Sequence, residues 1–399
     1  MKGHDTIVAG LRPTQLRCEY LTNPLGIDVI RPRLSWVLEA TGRGRRQSAY
    51  HILVASSEQG LRAAWGDLWD SGKVVAAASN QIVYGGRTMR SGQRCWWSVR
   101  VWDEADAPST DSDPAWWEMG LLHPDNWQGA WIGLDAASVT TSDLGRAADQ
   151  VELSRRPEPC PFLRTTFMVA RPVRRARLYV TARGLYEMRL NGRRVGDAVL
   201  TPGWTGYNTR IQYQTYDVGD VLRVGDNAIG AILGAGWFSG CVGFGTHNHR
   251  YGSAPQLLAQ LCIDYADGTA DTVVTDRSWR AAVGPILNSD LLMGETYDAR
   301  VALRGWDDPD YDDADWHLVA LTERNTDMAR LVADHSEPVR VIEEVAPCGI
   351  TQRDGDTQIV DLGQNIVGWA RLRVSGQAGM RVRCTFRRDA HPRRRALHG

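Results

Sequence analysis

The chain has 399 residues, 43% of them hydrophobic, with 46 Lys and Arg against 47 Asp and Glu and a formal net charge of −1. That length allows about two to four domains with sizeable cores, and the charge balance gives no reason to expect nucleic acid or an anionic membrane as partner. No stretch nears the ~18 apolar residues of a membrane span, the N-terminus lacks the apolar core of a signal peptide, and 7 cysteines without a Cys-x-x-Cys read as reduced thiols of a cytoplasmic protein, not as a disulfide framework.

The first region, residues 16–122, alternates like a small sandwich of the immunoglobulin or fibronectin III kind. Ser48 to Ala55 places Tyr50, Ile52 and Val54 on one strand face, and Arg94 to Asp103 does the same with Cys95, Trp97, Val99 and Val101. Its one helical signal is Ser57 to Trp65. Residues 123–161 read as linker and loop, with a weakly apolar Ser, Thr, Ala, Arg and Pro stretch from Asp135 to Pro161.

The second region, residues 162–338, reads as a jelly-roll-like sandwich: many strands, few helices, abundant glycine. Strands are expected at Arg177–Ala182, Leu185–Leu190, Ile211–Val218, Asn227–Leu233 and Leu257–Tyr265. Asn191-Gly192 marks a tight hairpin because both residues tolerate positive φ, and Asp267-Gly268 marks another turn. A third region, residues 339–385, predicts strands at Gln358–Leu362, Trp369–Val374 and Gly379–Cys384, too little chain for a whole sandwich. The fold class is therefore all-β, in tandem sandwiches with the third incomplete. From Phe386 to Gly399 the apolar period is lost and arginine dominates.

Catalytic signatures are missing: no Gly-x-Ser-x-Gly, no phosphate-binding P-loop, no His-Glu-x-x-His. His247-Asn-His249 offers two imidazoles but no nearby cysteine or carboxylate pair to complete a metal site. The acidic run Asp307, Asp308, Asp310, Asp312, Asp313 and Asp315 fails as a calcium loop, because Asp313 and Val319 stand where glycine and glutamate are needed. It reads instead as a turn with capping aspartates between packed Trp306 and Trp316. Glu295, Asp298, Glu343 and Glu344 are the remaining carboxylates one could offer to glycosidic chemistry, and nothing in their spacing pairs them. No catalytic, cofactor or metal residue is assigned.

The 16 tryptophans, against 5 phenylalanines, admit two readings: packing inside β-sandwiches, and flat rings that face the apolar side of a sugar. Gly234 to Gly245 interleaves glycine with aromatics after a strand. A phosphate-binding loop would need a helix next, and none is apparent. The same two readings compete for this loop, with Trp237, Phe238 and Phe244 as the candidate carbohydrate-facing residues.

Several segments together resemble one family. They are Leu16-Arg-Cys-Glu-Tyr-Leu-Thr-Asn-Pro-Leu-Gly26, Arg33-Leu-Ser-Trp36, Trp96-Trp-Ser-Val-Arg-Val-Trp-Asp103, Gly184-Leu-Tyr-Glu187, Leu190-Asn-Gly192, Pro202-Gly-Trp204, Tyr213-Gln-Thr-Tyr-Asp-Val218, Gly294-Glu-Thr-Tyr-Asp-Ala-Arg300 and Val360-Asp-Leu-Gly-Gln-Asn-Ile-Val-Gly-Trp369. In this order they resemble the N-terminal half of bacterial α-L-rhamnosidases of glycoside hydrolase family 78. The resemblance implies a fibronectin-like domain, a jelly roll and a second β-sandwich. It further implies a helical barrel carrying two glutamates that act as general acid and base in an inverting hydrolysis of rhamnose-containing glycosides. No position here matches the barrel's acidic motifs, so no catalytic residue is carried over. Some family members bind rhamnose with calcium on a jelly-roll module, and those contacts match no position here.

The resemblance also bears on the tail. One choice of codons for Arg387–Pro392, read one base later, gives Ala-Glu-Met-Leu-Thr and then Pro. That is similar to the Ala-Glu-x-Leu-x-Pro-x-Gly run with which family members continue. A single-base frameshift near the codon of Thr385 is therefore expected, with residues 386–399 as its product. The rival readings are a free-standing carbohydrate-binding protein, which would respond to sugar, and a structural interaction protein, which would bind protein instead.

Overall fold

The computed structural model describes residues 10–135, 137, 159–243, 248–322, 331–353 and 355–386. It divides into one unit ending at Val339 and a second beginning at Arg340. Nearly all regular structure is β, as the alternating sequence predicts.

The first sandwich opens the chain. Its strands are β1 (Leu11–Cys18), β2 (Arg33–Ala40), β3 (Ala49–Ala55), β4 (Trp69–Asp70), β5 (Val74–Val75), β6 (Ile82–Val83), β7 (Arg94–Trp102) and β8 (Ala115–Glu118). One sheet runs β1-β2-β6 and the other β4-β3-β7-β8, with β5 also on β3. The expected face of β3 and that of β7 meet Trp36, Tyr84 and Trp117 in one buried core. The opposite face of β3 is covered too. Helix α1 (Glu58–Arg62), capped by the Ser57 side chain, lays Leu61 on Leu53, Ala55 and Trp96.

The second sandwich is larger. Its strands are β9 (Trp131–Leu134), β10 (Pro161–Val169), β11 (Val173–Arg183), β12 (Leu185–Leu190), β13 (Arg193–Arg194), β14 (Ile211–Asp217), β15 (Gly225–Gly234), β16 (Gln256–Tyr265), β17 (Ala270–Val274), β18 (Arg280–Val283), β19 (Ile286–Asp290), β20 (Gly294–Tyr297), β21 (His317–Thr322) and β22 (Leu331–Ala333). A 12-stranded sheet runs β13-β12-β15-β10-β18-β21-β9-β16-β11-β14-β22, with β17 on β16. Strand β21 joins its halves. Leu318 pairs with β18, while Val319 to Thr322 pair with β9. Alternate residues of β10, β12, β15 and β18 then meet those of β9, β11 and β16 in one core. Asn191 and Gly192 adopt φ of 50° and 77° in the β12–β13 turn, as their sequence predicts.

Two expectations are corrected here. The N-terminal part of the supposed linker belongs to the second sandwich: β9 pairs with β16 and β21, and Trp127 and Trp131 are buried. A four-residue strand whose partners lie far along the chain leaves too little local pattern to be read. The residues from 138 to 158 lie outside those described. In the second unit β23 (Gly349–Gln352) pairs with β24 (Gln358–Asp361), but Trp369–Val374 and Gly379–Cys384 form no strands. Their side chains are exposed, and a strand pattern without a partner strand has no ladder to join. Residues 387–399, which the frameshift reading concerns, also lie outside those described.

Polar contacts join the two sandwiches. Asp28 of the first accepts from the Ala333 N–H at 2.8 Å and lies 2.9 Å from His335 Nε2. Hydrogen bonding to Asp28 holds the His335 pKa above its ordinary value against the effect of burial, and Glu19 and Asp334 add to the rise. Burial pushes the Asp28 carboxyl up, but the His335 ring and the Ala333 N–H hold it below its usual range. A raised histidine stabilises below its unfolded pKa and loses that contribution as pH rises through the folded value. A lowered aspartate loses its contribution as pH falls through its folded value. The pair is therefore worth most between about pH 4 and 6.5. With the His335 side chain 34% exposed, solvent screening limits the effect to about 1 kcal/mol or less. Urea unfolding at pH 6 and at pH 8 should show the loss in the wild type and its absence in His335→Gln. Equal pH dependence in both proteins would refute this assignment.

Candidate functional site

One end of the second sandwich gathers aromatic rings from two loops. The loop before β14 is held by its own hydrogen bonds: Thr205 Oγ1 donates to Arg210 O at 2.7 Å, Thr209 Oγ1 to Gly206 O at 2.8 Å, and Tyr207 OH to Gly203 O at 3.3 Å. Gln214 Nε2 donates to Pro202 O at 3.2 Å and ties the loop to β14. This loop presents Trp204 to solvent, 53% exposed, and buries Tyr207.

The second loop follows β15. A helical turn, α2 (Gly236–Ser239), stands where the sequence offered no helix. At four residues it is no phosphate site. Gly236 adopts φ of +51°, and a Cβ there would lie 2.6 Å from Leu185 Cγ, so the turn needs glycine. Successive helical residues diverge by about 100° around the axis. Trp237 therefore lies against Trp204 while Phe238 turns inward. The two indoles stack at 5.9 Å with their planes 4° apart. The end of the turn is pinned by the Cys241 N–H, which donates to Asp290 Oδ2 at 2.7 Å.

The same two loops contribute Tyr207, Asn208 and Phe238 to a cleft of about 340 Å³, which Arg183, Tyr251, Gly252, Ser253, Ala254 and Gln256 complete. Phe238 and Tyr251 both meet Tyr207, at 5.3 and 5.1 Å between ring centres. Burial pushes the Tyr207 hydroxyl well above its usual range, so it stays protonated. Arg183 donates to Gln256 Oε1 at 2.7 Å and covers the Trp131 ring at 4.6 Å. A Cβ at Gly252 would fall 2.3 Å from the Phe238 ring, so only glycine leaves this wall open.

Of the three residues the sequence nominated, the structure places Trp237 at this surface and buries Phe238 in the aromatic core, 8% exposed. Phe238 packs in that cluster and shows only its edge to the cleft it helps to line. Phe244 lies outside the described residues, as does His247. His249 is exposed and donates its backbone N–H to Ser239 O at 3.0 Å. Sequence reasoning missed Trp204, whose only signal was the short Pro-Gly-Trp segment.

The acidic run forms the expected turn between packed tryptophans, where Asp312 accepts from the Ala314 N–H at 3.0 Å, and it adds arginine pairs that the sequence did not signal. Asp307 accepts from Arg189 Nε at 2.8 Å, Asp313 pairs with the buried Arg164, and Trp306 stacks on Trp316. Asp307 and Asp313 face arginines, and among the described residues no three His, Cys, Asp or Glu side chains converge on a point that would suit calcium. Two of the other candidate carboxylates are likewise paired: Asp298 binds Arg300 and Glu344 binds Arg371. Glu295 stands exposed on β20. The arrangement offers an aromatic surface and hydroxyl and amide groups, and no carboxylate is among the described residues that line the cleft.

Family comparisons decide what this scaffold is. Residues 13–123 match the Rha78A-like N-terminal immunoglobulin domain, residues 171–343 the Alpha-L-rhamnosidase N-terminal domain, and residues 351–388 the Bacterial alpha-L-rhamnosidase concanavalin-like domain. The chain belongs to the α-L-rhamnosidase family, of which it carries the N-terminal domains. An α-L-rhamnosidase of Streptomyces avermitilis is 34% identical, over 94% of this chain and 51% of its own length. One of Alteromonas sp. is 37% identical, over 97% of this chain and 41% of its own. A crystal structure of the Streptomyces avermitilis α-L-rhamnosidase complexed with L-rhamnose superposes with a TM-score of 0.81 at 31% identity, covering 89% of this chain and 49% of that one. The chain thus spans about half the length of these rhamnosidases, or less.

Proposed function

We propose that this chain is the non-catalytic N-terminal portion of an enzyme that hydrolyses terminal α-L-rhamnose from glycosides or oligosaccharides with inversion. The observation that carries the reading is the correspondence of nearly the whole chain, domain by domain, with proteins named α-L-rhamnosidase. Inverting hydrolysis needs two carboxyl groups about 6.5–9.5 Å apart, one protonating the leaving oxygen and one activating water. Asp298, Asp307, Asp313 and Glu344 are each engaged by an arginine, which supports placing that pair elsewhere in the enzyme. On this reading the fibronectin-like domain and the jelly roll are scaffold, and the free thiols fit a reducing compartment such as the cytoplasm.

Purified chain incubated with an aryl α-L-rhamnoside should release no more aglycone than buffer. Release proportional to chain concentration would overturn the proposal. Sequencing the gene from the codon of Ala370 onward tests the rest: a helical barrel encoded downstream supports it, and downstream DNA that encodes no barrel in any frame refutes it.

A further inference from the structure

We infer that Trp204, backed by Trp237, forms with the adjoining cleft a binding subsite for a neutral pyranose ring. The indole stacks on the C–H face of the sugar, and Asn208, Tyr251 and Ser253 meet its hydroxyls. The inference concerns binding by this chain itself and stands apart from where the catalytic carboxylates of the enzyme lie.

An indole half in water is not by itself informative, since single exposed apolar residues are ordinary. Trp65 is such a case: it is 68% exposed, with no stacked ring. Trp204 differs in three respects. Its plane is fixed by the parallel contact with Trp237, whose own loop is anchored to Asp290. A large flat ring held in one orientation loses little conformational freedom when a ligand stacks on it. Next, polar groups of the surround are unspent. Among the described residues the side chains of Asn208, Tyr251 and Ser253 have no hydrogen-bond partner, and neither indole nitrogen of the stacked pair has one. A ligand rich in hydroxyls with one apolar face satisfies both halves of that surface. Last, the space fits: about 340 Å³ lies at the small end of the ~300–1,000 Å³ of small-molecule clefts, room for about one ring.

Charge narrows the ligand class. Among the described residues no carboxylate lines the cleft, which disfavours a cation. The one cation among its described residues, Arg183, is already engaged by Gln256 and by the Trp131 face, which disfavours a strongly anionic ligand. A protein partner would need an apolar contact centre within an interface of about 1,000 Å² or more. Here Trp204 is flanked by exposed polar chain, Asn208, Thr209 and Arg210. A neutral sugar remains.

Isothermal calorimetry of the whole chain with methyl α-L-rhamnopyranoside tests this without using tryptophan as reporter. Saturable binding in the millimolar range is expected, weakened at least about tenfold in Trp204→Ala, weakened less in Trp204→Tyr, which keeps a stacking ring, and unchanged in Trp65→Ala. Asn208→Ala should also weaken binding while leaving the stack intact. D-glucuronate serves as the anionic comparison. No heat from the neutral glycoside, equal binding by Trp204→Ala and wild type, or binding of glucuronate alone that high salt abolishes would each overturn the proposal. Failure here leaves the hydrolytic reading untouched, and a whole enzyme inactive on rhamnosides would leave this binding intact.

Discussion

Replacing Glu118 with alanine is expected to cost about 3–5 kcal/mol of stability. Glu118 ends β8, at the junction of the two sandwiches, and its side chain is 0% exposed. It accepts from Arg177 Nε at 2.6 Å and Nη2 at 3.1 Å, both from β11 of the second sandwich, and from Arg94 Nε of its own sheet at 3.0 Å. Arg175 stands 3.7 Å away. Removing the carboxylate strands the buried Arg177 with only the exposed Asp217 at 2.7 Å to answer its charge. Breaking a buried pair on one side is costly because the remaining charge has lost its water and its partner. The loss is a large part of the ~5–15 kcal/mol that holds a typical domain folded. Urea unfolding followed by tryptophan fluorescence measures it, and a change below about 1 kcal/mol would contradict the role assigned to this junction. The double variant Glu118→Leu with Arg177→Met should lose less than Glu118→Ala alone, since apolar partners leave no stranded charge.

This junction also marks the limit of what the sequence discloses. The strands that alternate cleanly, β3, β7, β14, β15 and β16, fall where their pattern puts them, because a period of two is a local property of a half-buried sheet. The Asn-Gly hairpin is local for the same reason. Glu118 and Arg177 carry no such signal: a glutamate at a strand end and an arginine inside a strand read as surface until a second domain covers them. The candidate site divides along the same line. Trp237 is legible as an aromatic in a glycine-rich loop. Its difference from Phe238 depends on a single helical turn, and its stacking on Trp204 depends on a loop that precedes β14. Neither follows from the order of residues. The acidic run shows the converse: its spacing excludes a calcium loop, and the structure supplies arginines for Asp307 and Asp313.

Hydrogen exchange should separate the two units by a wide margin. Amides of β10, β11, β15 and β16 sit within a broad sheet over a continuous core, and they should exchange at least about 10³-fold more slowly than those of residues 349–384. In the second unit the ladder is a single pairing of β23 with β24, and an isolated two-stranded hairpin is marginal in water. Met380, Val382, Cys384 and Phe386 fall on every second position, a row that a strand would place on one face, yet all four are exposed. Ile342, Val367, Trp369, Leu372 and Val374 are exposed as well. An alternating row is stabilised when a second layer covers it, since the apolar face contributes only on leaving water. The described residues of the second unit place none there, so the backbone of Gln358–Cys384 should open freely and its apolar rows should favour association between chains at high concentration. Protection of Gln358–Cys384 equal to that of β16 would show instead that these residues fold as a stable layer by themselves.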